Sequence, residues 1–110
     1  MNTEINIEYY LDENGKNSFH DWVESFRDGK TRSILFGRLA RVRVGNLGRC
    51  ESLGQGIFEL KIDYGPGYRI YFGYKNLQIV LILLGGEKST QRKDILKAQA
   101  FWTDYRRRNL

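Results

Sequence analysis

Two basic side chains stand inside the apolar alternation of the segment FELKIDYGPGYRIYF, residues 58–72. Lys61 lies in the run before the Gly-Pro-Gly turn, and Arg69 lies in the run after it. If the two runs form a hairpin about the first glycine of the turn, Lys61 pairs with Arg69 and Glu59 pairs with Tyr71. Like charges that face each other directly destabilise a ladder. The sequence therefore predicts a pair whose repulsion something else must offset.

A third cation is predicted at the same end of the sheet. The next hairpin, which we expect to turn at Lys75-Asn76, returns the strand 77–84 toward the Gly-Pro-Gly turn. The chain then passes Gly85-Gly86, which we expect to end the strand, and reaches Lys88. Cations from three segments therefore converge: Lys61, Arg69 and Lys88.

Converged cations beside a phenol are suited to a phosphate on which charge develops. Tyr71 shares the polar strand face with Arg69, and a crowded lysine, Lys61 or Lys88, is a candidate general base. RNA suits this chemistry, because its own 2′-hydroxyl can be the nucleophile and no metal ion is then needed. The alternative is structural, in that the two strand cations reach solvent or pair with neighbouring carboxylates. Those carboxylates are Glu59, Asp63 and Glu87.

Other residue types that carry chemistry do not assemble into a site. Glu59 and Asp63 share a strand face but lie four residues apart, about 13 Å, which is too far for one metal ion. His20 is the single histidine, so a mechanism that uses a histidine pair is excluded. Cys50 is the single cysteine, so we expect no disulfide within the chain and no Cys/His cluster that could hold zinc. We expect no metal ion and no cofactor.

Charge is distributed unevenly along the 110 residues. Residues 1–28 carry a formal charge of −5, residues 29–49 carry +6 and residues 50–110 carry +4. This asymmetry favours a polyanionic partner such as nucleic acid, with a solvated helix face as the open alternative. Tyr64 and Tyr68, beside the turn, could stack on a nucleotide.

The hydrophobic periodicity predicts the element order β-α-α-β-β-β-α. We expect strands before and after the Gly-Pro-Gly turn and a fully covered strand at 77–84. The remaining predicted elements are a first strand at 5–11, helices at 18–26 and 31–44, and a last helix that begins at Ser89 or Thr90. This pattern defines an α+β fold with a small antiparallel sheet packed against helices, in one domain of residues 1–110.

The sequence gives no sign of a membrane or of secretion. The longest apolar run, residues 79–84, has six residues, whereas a membrane-spanning helix needs 18 or more. The N-terminal MNTEINIEYY lacks a basic region followed by an apolar stretch, so it does not resemble a secretion signal. We expect a cytoplasmic protein without a membrane partner.

Four stretches of the chain resemble one protein family: FELKI, GPGYRIYF, LLGGEKSTQ and DILKA. Together they resemble the addiction-module killer proteins, which are HigB-like members of the RelE/ParE toxin superfamily. The resemblance covers most of the chain, and its most specific portion is GPGYRIYF followed by LLGGEKSTQ. It implies a RelE-like fold and a toxin of a type II toxin-antitoxin system that cleaves mRNA at the ribosome. It also implies a cognate antitoxin, a helix-turn-helix protein, that blocks the basic site.

Site roles follow from the resemblance by motif position. Arg69, in the Gly-Tyr-Arg element, matches the arginine that holds the scissile phosphate, and Lys61 and Lys88 match basic residues before the turn and after the last strand. Two positions depart from the pattern: Glu59 stands where RelE has another lysine, and Asp94 lies near the place of its C-terminal tyrosine. Acid and base roles therefore stay open among Lys61, Lys88, Tyr71 and Asp94.

These observations lead us to expect a metal-independent mRNA endonuclease that acts on translated message at the ribosome. The expected catalytic residues are Lys61, Arg69, Lys88, Tyr71 and Asp94. The expected RNA-binding residues are Lys30, Arg32, Arg38, Arg41, Arg43, Tyr68 and Gln91. Two alternatives remain open: a ParE-like inhibitor of DNA gyrase without nuclease activity, and a non-catalytic RNA-binding domain.

Overall fold

The structure, a computed structural model, describes residues 4–109. Five strands form one sheet in the order β1-β5-β4-β3-β2, and three helices pack against it. The elements are β1 (Asn6–Tyr9), α1 (Ser18–Glu24), α2 (Gly29–Arg43), β2 (Cys50–Gly54), β3 (Ile57–Ile62), β4 (Tyr68–Asn76), β5 (Ile79–Glu87), a 3₁₀ turn (Lys88–Thr90) and α3 (Gln91–Arg108). The protein is therefore α+β, as predicted.

The sheet differs from the predicted antiparallel one in two ways. Strand β1 pairs with β5 in parallel while the other pairs are antiparallel, so the sheet is mixed. An apolar pattern carries no information on pairing direction, which is why the prediction was wrong here. Strand β2 was not predicted at all, because it is an edge strand whose exposed Glu51 and Ser52 give no apolar alternation.

Helices cover both faces of the sheet. Phe19 and Val23 of α1 and Leu35 and Leu39 of α2 form one core with strand residues such as Ile70. On the other face, Ala98 and Trp102 of α3 pack with Ile57, Tyr71 and Leu81. Polar side chains of β3 and β4 on the α3 face must therefore lie beneath that helix or beyond its first turn.

The register of the first hairpin is the one predicted. Lys61 pairs with Arg69, and Glu59 pairs with Tyr71. The second hairpin turns two residues later than predicted, at 77–78, because β4 continues to Asn76.

Strand β5 also runs past the predicted stop at Gly85-Gly86, to Glu87. A side chain at Gly85 would collide with the Trp22 ring on one face, and one at Gly86 would collide with the Asp94 carboxylate on the other. These glycines therefore admit helix side chains from both sides and do not end the strand. Among residues 4–109, no helix has the length and apolar character to cross a membrane.

Candidate functional site

The three predicted cations lie at one end of the sheet, around the Gly-Pro-Gly turn. Arg69 is the direct ladder neighbour of Lys61, and the Lys88 backbone N–H donates to the Gly67 carbonyl at 2.8 Å. A cavity of about 340 Å³ opens here, which we call the turn pocket. Its lining residues are Arg49, Asp63, Tyr64, Gly65, Pro66, Gly67, Arg69 and Lys88.

Gly67 has a backbone conformation that requires glycine, and it lies beside two of the cations. Its φ of 86° lies in the left-handed region that favours glycine. A Cβ at this position would lie 3.5 Å from the Lys88 Cβ and 3.8 Å from Arg69 Nη1. Arg69 and Lys88 therefore lie on either side of the space next to Gly67.

Carboxylates on neighbouring strands pair diagonally with the strand cations. Lys61 Nζ lies 2.6 Å from Glu51 Oε2, and Arg69 Nε lies 3.9 Å from Glu59 Oε1. The Arg49 guanidinium pairs in the same way with Asp63. The hydrogen bond from Lys61 lowers the pKa of Glu51. Diagonal pairing thus offsets the like-charge repulsion across the ladder, as the structural alternative anticipated in part.

Lys88 differs from the other cations at this end. Its side chain is exposed, and it enters no salt bridge among residues 4–109. Arg69 is 7% exposed, and its Nη1 donates to the Tyr68 carbonyl at 3.3 Å. The turn pocket therefore combines one free ammonium with one largely buried guanidinium.

A buried polar cluster lies behind Arg69, under the start of α3. Glu59 and Tyr71 are both 0% exposed, and Gln91 Nε2 donates to Glu59 Oε2 at 2.6 Å. Three buried atoms in this cluster make no hydrogen bond of normal geometry within the described chain: Glu59 Oε1, Arg69 Nε and Tyr71 Oη. Such unpaired atoms are uncommon in folded proteins and mark this cluster as a place of functional interest.

Tyr71 is held in its neutral form. Burial raises the pKa of its phenol, and the negative charges of Glu59 and Asp94 raise it further. At neutral pH the phenol can donate a hydrogen bond but cannot serve as a base. Because it is fully buried, the predicted catalytic Tyr71 reaches a substrate only through its neighbours in this conformation.

Asp94, in the first turn of α3, is hydrogen-bonded to the 3₁₀ turn that precedes this helix. It is 8% exposed and accepts a hydrogen bond of 2.6 Å from the Thr90 hydroxyl. Thr90 ends the 3₁₀ turn that begins at Lys88. Asp94 thus acts on the segment that carries Lys88 and does not open onto the turn pocket.

The predicted RNA-binding residues are placed in different surroundings. Three are exposed: Lys30, Arg41 and Arg43. The Arg32 guanidinium donates to the Phe26 carbonyl. Tyr68 is 6% exposed and packs edge-on against the rings of Trp22 and Phe26, so it offers no free face to a base.

Arg38 and Gln91, the remaining two, make hydrogen bonds within the fold. Arg38 is 8% exposed and donates from Nη2 to the Leu47 carbonyl at 2.7 Å. Gln91 binds Glu59 as described above. The exposed cations of α2 are therefore fewer than the sequence predicts.

Sequence reasoning missed Arg49 and Glu51. The positions of both residues are set by β2, which was not predicted. Its ladder with β3 is extended by a hydrogen bond of 2.8 Å from the Lys61 N–H to the Arg49 carbonyl. The only available signal was the position of Arg49 at the end of the acid-free segment 29–49. In the part of the chain that the structure describes, no group of three or more His, Cys, Asp or Glu residues is placed to hold a metal ion.

Fold and site together define a small α+β protein with a cation-rich pocket at one end of a mixed five-stranded sheet. An uncharacterized protein of Haemophilus influenzae is 40% identical to this chain over 82 residues, which make up 74% of this chain and 83% of that protein. The chain belongs to the same family as this Haemophilus protein. No family model matches the chain.

Proposed function

We propose that the chain is a HigB-like toxin of a type II toxin-antitoxin system, with a RelE-like fold, that cleaves mRNA at the ribosome in the cytoplasm. A cognate antitoxin, expected to be a helix-turn-helix protein, would cover the cationic end of the sheet. Support comes from the motifs GPGYRIYF and LLGGEKSTQ, and from the positions of the cations that they carry.

The convergence of Lys61, Arg69 and Lys88 carries the proposal. They come from β3, the 3₁₀ turn and β4: Arg69 and Lys88 line the turn pocket, and Lys61 is the ladder neighbour of Arg69. Lys88 lacks a carboxylate partner among residues 4–109, so an entering phosphate would meet a free positive charge. Charge-assisted hydrogen bonds to phosphate are among the strongest that proteins make.

The proposed reaction uses the 2′-hydroxyl of the RNA as nucleophile. The 2′-oxygen attacks phosphorus, the bond from phosphorus to the 5′-oxygen breaks, and the products are a 2′,3′-cyclic phosphate and a 5′-hydroxyl. One group takes the 2′-hydroxyl proton while another gives a proton to the leaving 5′-oxygen. We assign the proton donation to the ammonium ion of one lysine, Lys61 or Lys88, and the proton acceptance to the other in its neutral amine form. Charge stabilisation is assigned to the guanidinium of Arg69.

Tyr71 and Asp94 have positioning roles in this proposal. Tyr71 lies behind Arg69 as a neutral hydrogen-bond donor, and Asp94 holds the turn that carries Lys88. The exposed cations Lys30, Arg41 and Arg43 would bind the backbone of ribosomal RNA, which is salt-sensitive and independent of sequence.

Inducible expression in bacteria tests the proposal, with mRNA 5′ ends mapped within minutes of induction. The informative variant is Lys88→Ala, because an exposed and unpaired lysine can be removed without disturbing the fold. The matched control is Arg106→Ala, which removes one exposed charge beside the β4–β5 hairpin at the other end of the sheet. We expect new 5′ ends inside translated frames for the wild type and the control, and a loss of at least about 100-fold for Lys88→Ala.

Other outcomes would redirect the assignment. Growth arrest with intact messages and lost DNA supercoiling would select the gyrase inhibitor. Salt-sensitive RNA binding without arrest or cleavage would select a plain RNA-binding domain. Cleavage by Lys88→Ala at the wild-type rate would refute the catalytic role of the turn pocket.

A further inference from the structure

A second and larger cavity lies between helix α2 and strand β3. Its volume is about 690 Å³, which suits a small-molecule ligand or one unit of a polymer. We call it the α2 groove. Its cationic lining residues are Arg38, Arg41, Arg49 and Lys61, and its apolar ones include Ile34, Ile62 and Tyr64.

Positive charge in the α2 groove exceeds what its carboxylates can offset. Asp63, the one acidic lining residue, already pairs with Arg49, and Lys61 pairs with Glu51 outside the groove. Arg38 and Arg41 enter no salt bridge within residues 4–109. Two guanidinium groups therefore remain without a counter-ion on one wall.

Arg38 makes this imbalance costly. It is 8% exposed, and its Nη1 has no hydrogen-bond partner in the described part of the chain. Burial lowers the pKa of Arg38, and the nearby charge of Arg41 lowers it further. A buried cation without a compensating anion is unfavourable, so an anion bound in the groove would stabilise this wall.

We propose that the α2 groove binds one nucleotide of a single-stranded RNA. Its phosphate would lie at the exposed Arg41, with the charge of Arg38 behind it, and its base would pack against Ile34, Ile62 and Tyr64. A ligand with one anionic end and one flat apolar end matches this lining, because base stacking on aromatic groups and phosphate binding by cations are the two elements of single-strand recognition.

The position of the groove relates it to the turn pocket. Arg49 lines both cavities. If the proposed nuclease function holds, on which this step rests, the nucleotide in the groove is a near neighbour of the scissile phosphate. The groove would then select the base at that position of the message.

Gly37 provides a direct test, because it lines the groove on the α2 side. A Cβ built on Gly37 meets nothing within 4 Å, and the residue lies inside a helix. A larger side chain here would extend into open space, and it should favour the helix by up to about 1 kcal/mol relative to glycine. Gly37→Glu should therefore fold, fill the groove and repel an anion, whereas Gly37→Ala should leave the groove open.

The assay is equilibrium binding of a fluorescent 2′-O-methyl hexanucleotide, which cannot be cleaved because its 2′-oxygen is blocked. We expect Gly37→Ala and the remote control Arg106→Ala to bind within about twofold of the wild type. We expect Gly37→Glu and Arg41→Ala to weaken binding by about tenfold or more. Arg41→Ala should also reduce the slope of the logarithm of the binding constant against the logarithm of the salt concentration by about one, because one phosphate contact is lost. Thermal melting of each variant checks its fold.

Several results would overturn the inference. Wild-type binding by Gly37→Glu would show that the oligonucleotide does not enter the groove. Adenosine monophosphate or an acidic peptide that competes as strongly as the oligonucleotide would overturn the assignment to RNA. The nuclease proposal can fail independently of this inference. If the wild type binds the oligonucleotide but cleaves no RNA, the nuclease proposal is refuted and the binding role of the groove stands. If Gly37→Glu cleaves RNA at the wild-type rate and sites, the binding role of the groove is refuted and the nuclease proposal stands.

Discussion

The buried pair of Glu59 and Arg69 predicts how the protein responds to loss of its central arginine. Glu59 is 0% exposed, and the cation that pairs with it is the Arg69 guanidinium, with 3.9 Å between Arg69 Nε and Glu59 Oε1. Arg69→Ala would leave that carboxylate buried without a counter-charge, a change that typically costs about 3–5 kcal/mol. In urea, with a slope of about 1–3 kcal/mol per molar, a loss of 3 kcal/mol lowers the unfolding midpoint by about 1–3 M.

The second variant separates this charge effect from lost packing. Glu59→Gln combined with Arg69→Ala removes the uncompensated charge and retains an amide oxygen that can accept the hydrogen bond from Gln91. We therefore expect the double variant to be more stable than Arg69→Ala alone, with a coupling of about 0.5–3 kcal/mol. The control Arg106→Ala, at an exposed arginine, should change stability by less than about 0.5 kcal/mol.

Urea denaturation followed by tryptophan fluorescence measures all of these variants, since a chain of this size normally unfolds in a two-state manner. A double variant no more stable than Arg69→Ala would refute the reasoning, because the loss would then come from packing and not from a buried charge. The result also bears on function. Inactivity of Arg69→Ala is evidence for a catalytic arginine only if the variant remains folded at the assay temperature.

Three further predictions concern stability, pH and binding. Gly86→Ala should lower the free energy of unfolding in urea by about 1–3 kcal/mol, because the new Cβ collides with the buried carboxylate of Asp94. Gly37→Ala should not lower the stability, because a Cβ at that position meets no other atom within 4 Å. Asp104 has a pKa lowered to about 2 by hydrogen bonds from a phenol and two arginines, so its contribution is present above about pH 4 and lost as the pH falls through about 2. Asp104→Asn should flatten the acid-unfolding profile over that window. Glu51→Gln should strengthen binding of the 2′-O-methyl hexanucleotide about two- to fivefold by freeing its lysine partner, and Glu24→Gln, with the same charge change on α1, should strengthen it less.

Each of these has a contrary result. Equal midpoints for Gly86→Ala and the wild type would mean that the helix can move away from β5. A wild-type acid profile in Asp104→Asn would assign the acid transition to other carboxylates. Equal binding by the Glu51 and Glu24 variants would mean that the gain in affinity comes from the change in net charge and not from the release of Lys61.

The sequence predicted the hairpin of the site because its signals are local. A tight glycine-rich turn and an alternation of period two on both sides determine the register, and hence the neighbours of Lys61 and Glu59. Lys88 could be placed from the same reasoning, since a second hairpin must return to the same end. The end of β5 could not be predicted in this way. Gly85 and Gly86 are glycines because a side chain there would collide with Trp22 or Asp94, which are distant in sequence.

The partners of the cations could not be predicted either. Glu51 lies on a five-residue edge strand whose exposed side chains show no periodic pattern. Without that strand, the carboxylate that pairs with Lys61 has no known position. The same holds for Gln91, whose hydrogen bond to Glu59 depends on how α3 lies across the sheet.

Diagonal ion pairing explains how the sheet tolerates like charges at its end. Glu51 lies directly opposite Glu59, and Lys61 directly opposite Arg69, so each direct pair is repulsive. Each cation instead pairs with a carboxylate that lies two residues along the neighbouring strand from the directly opposite position, a diagonal distance that long side chains span. This pattern requires an acid at position 59. With Glu59 on its Nε side, Arg69 can be buried while its Nη1 lies next to the turn. Lys88 falls outside the pattern, since it follows the end of β5, and its ammonium group pairs with no carboxylate among residues 4–109.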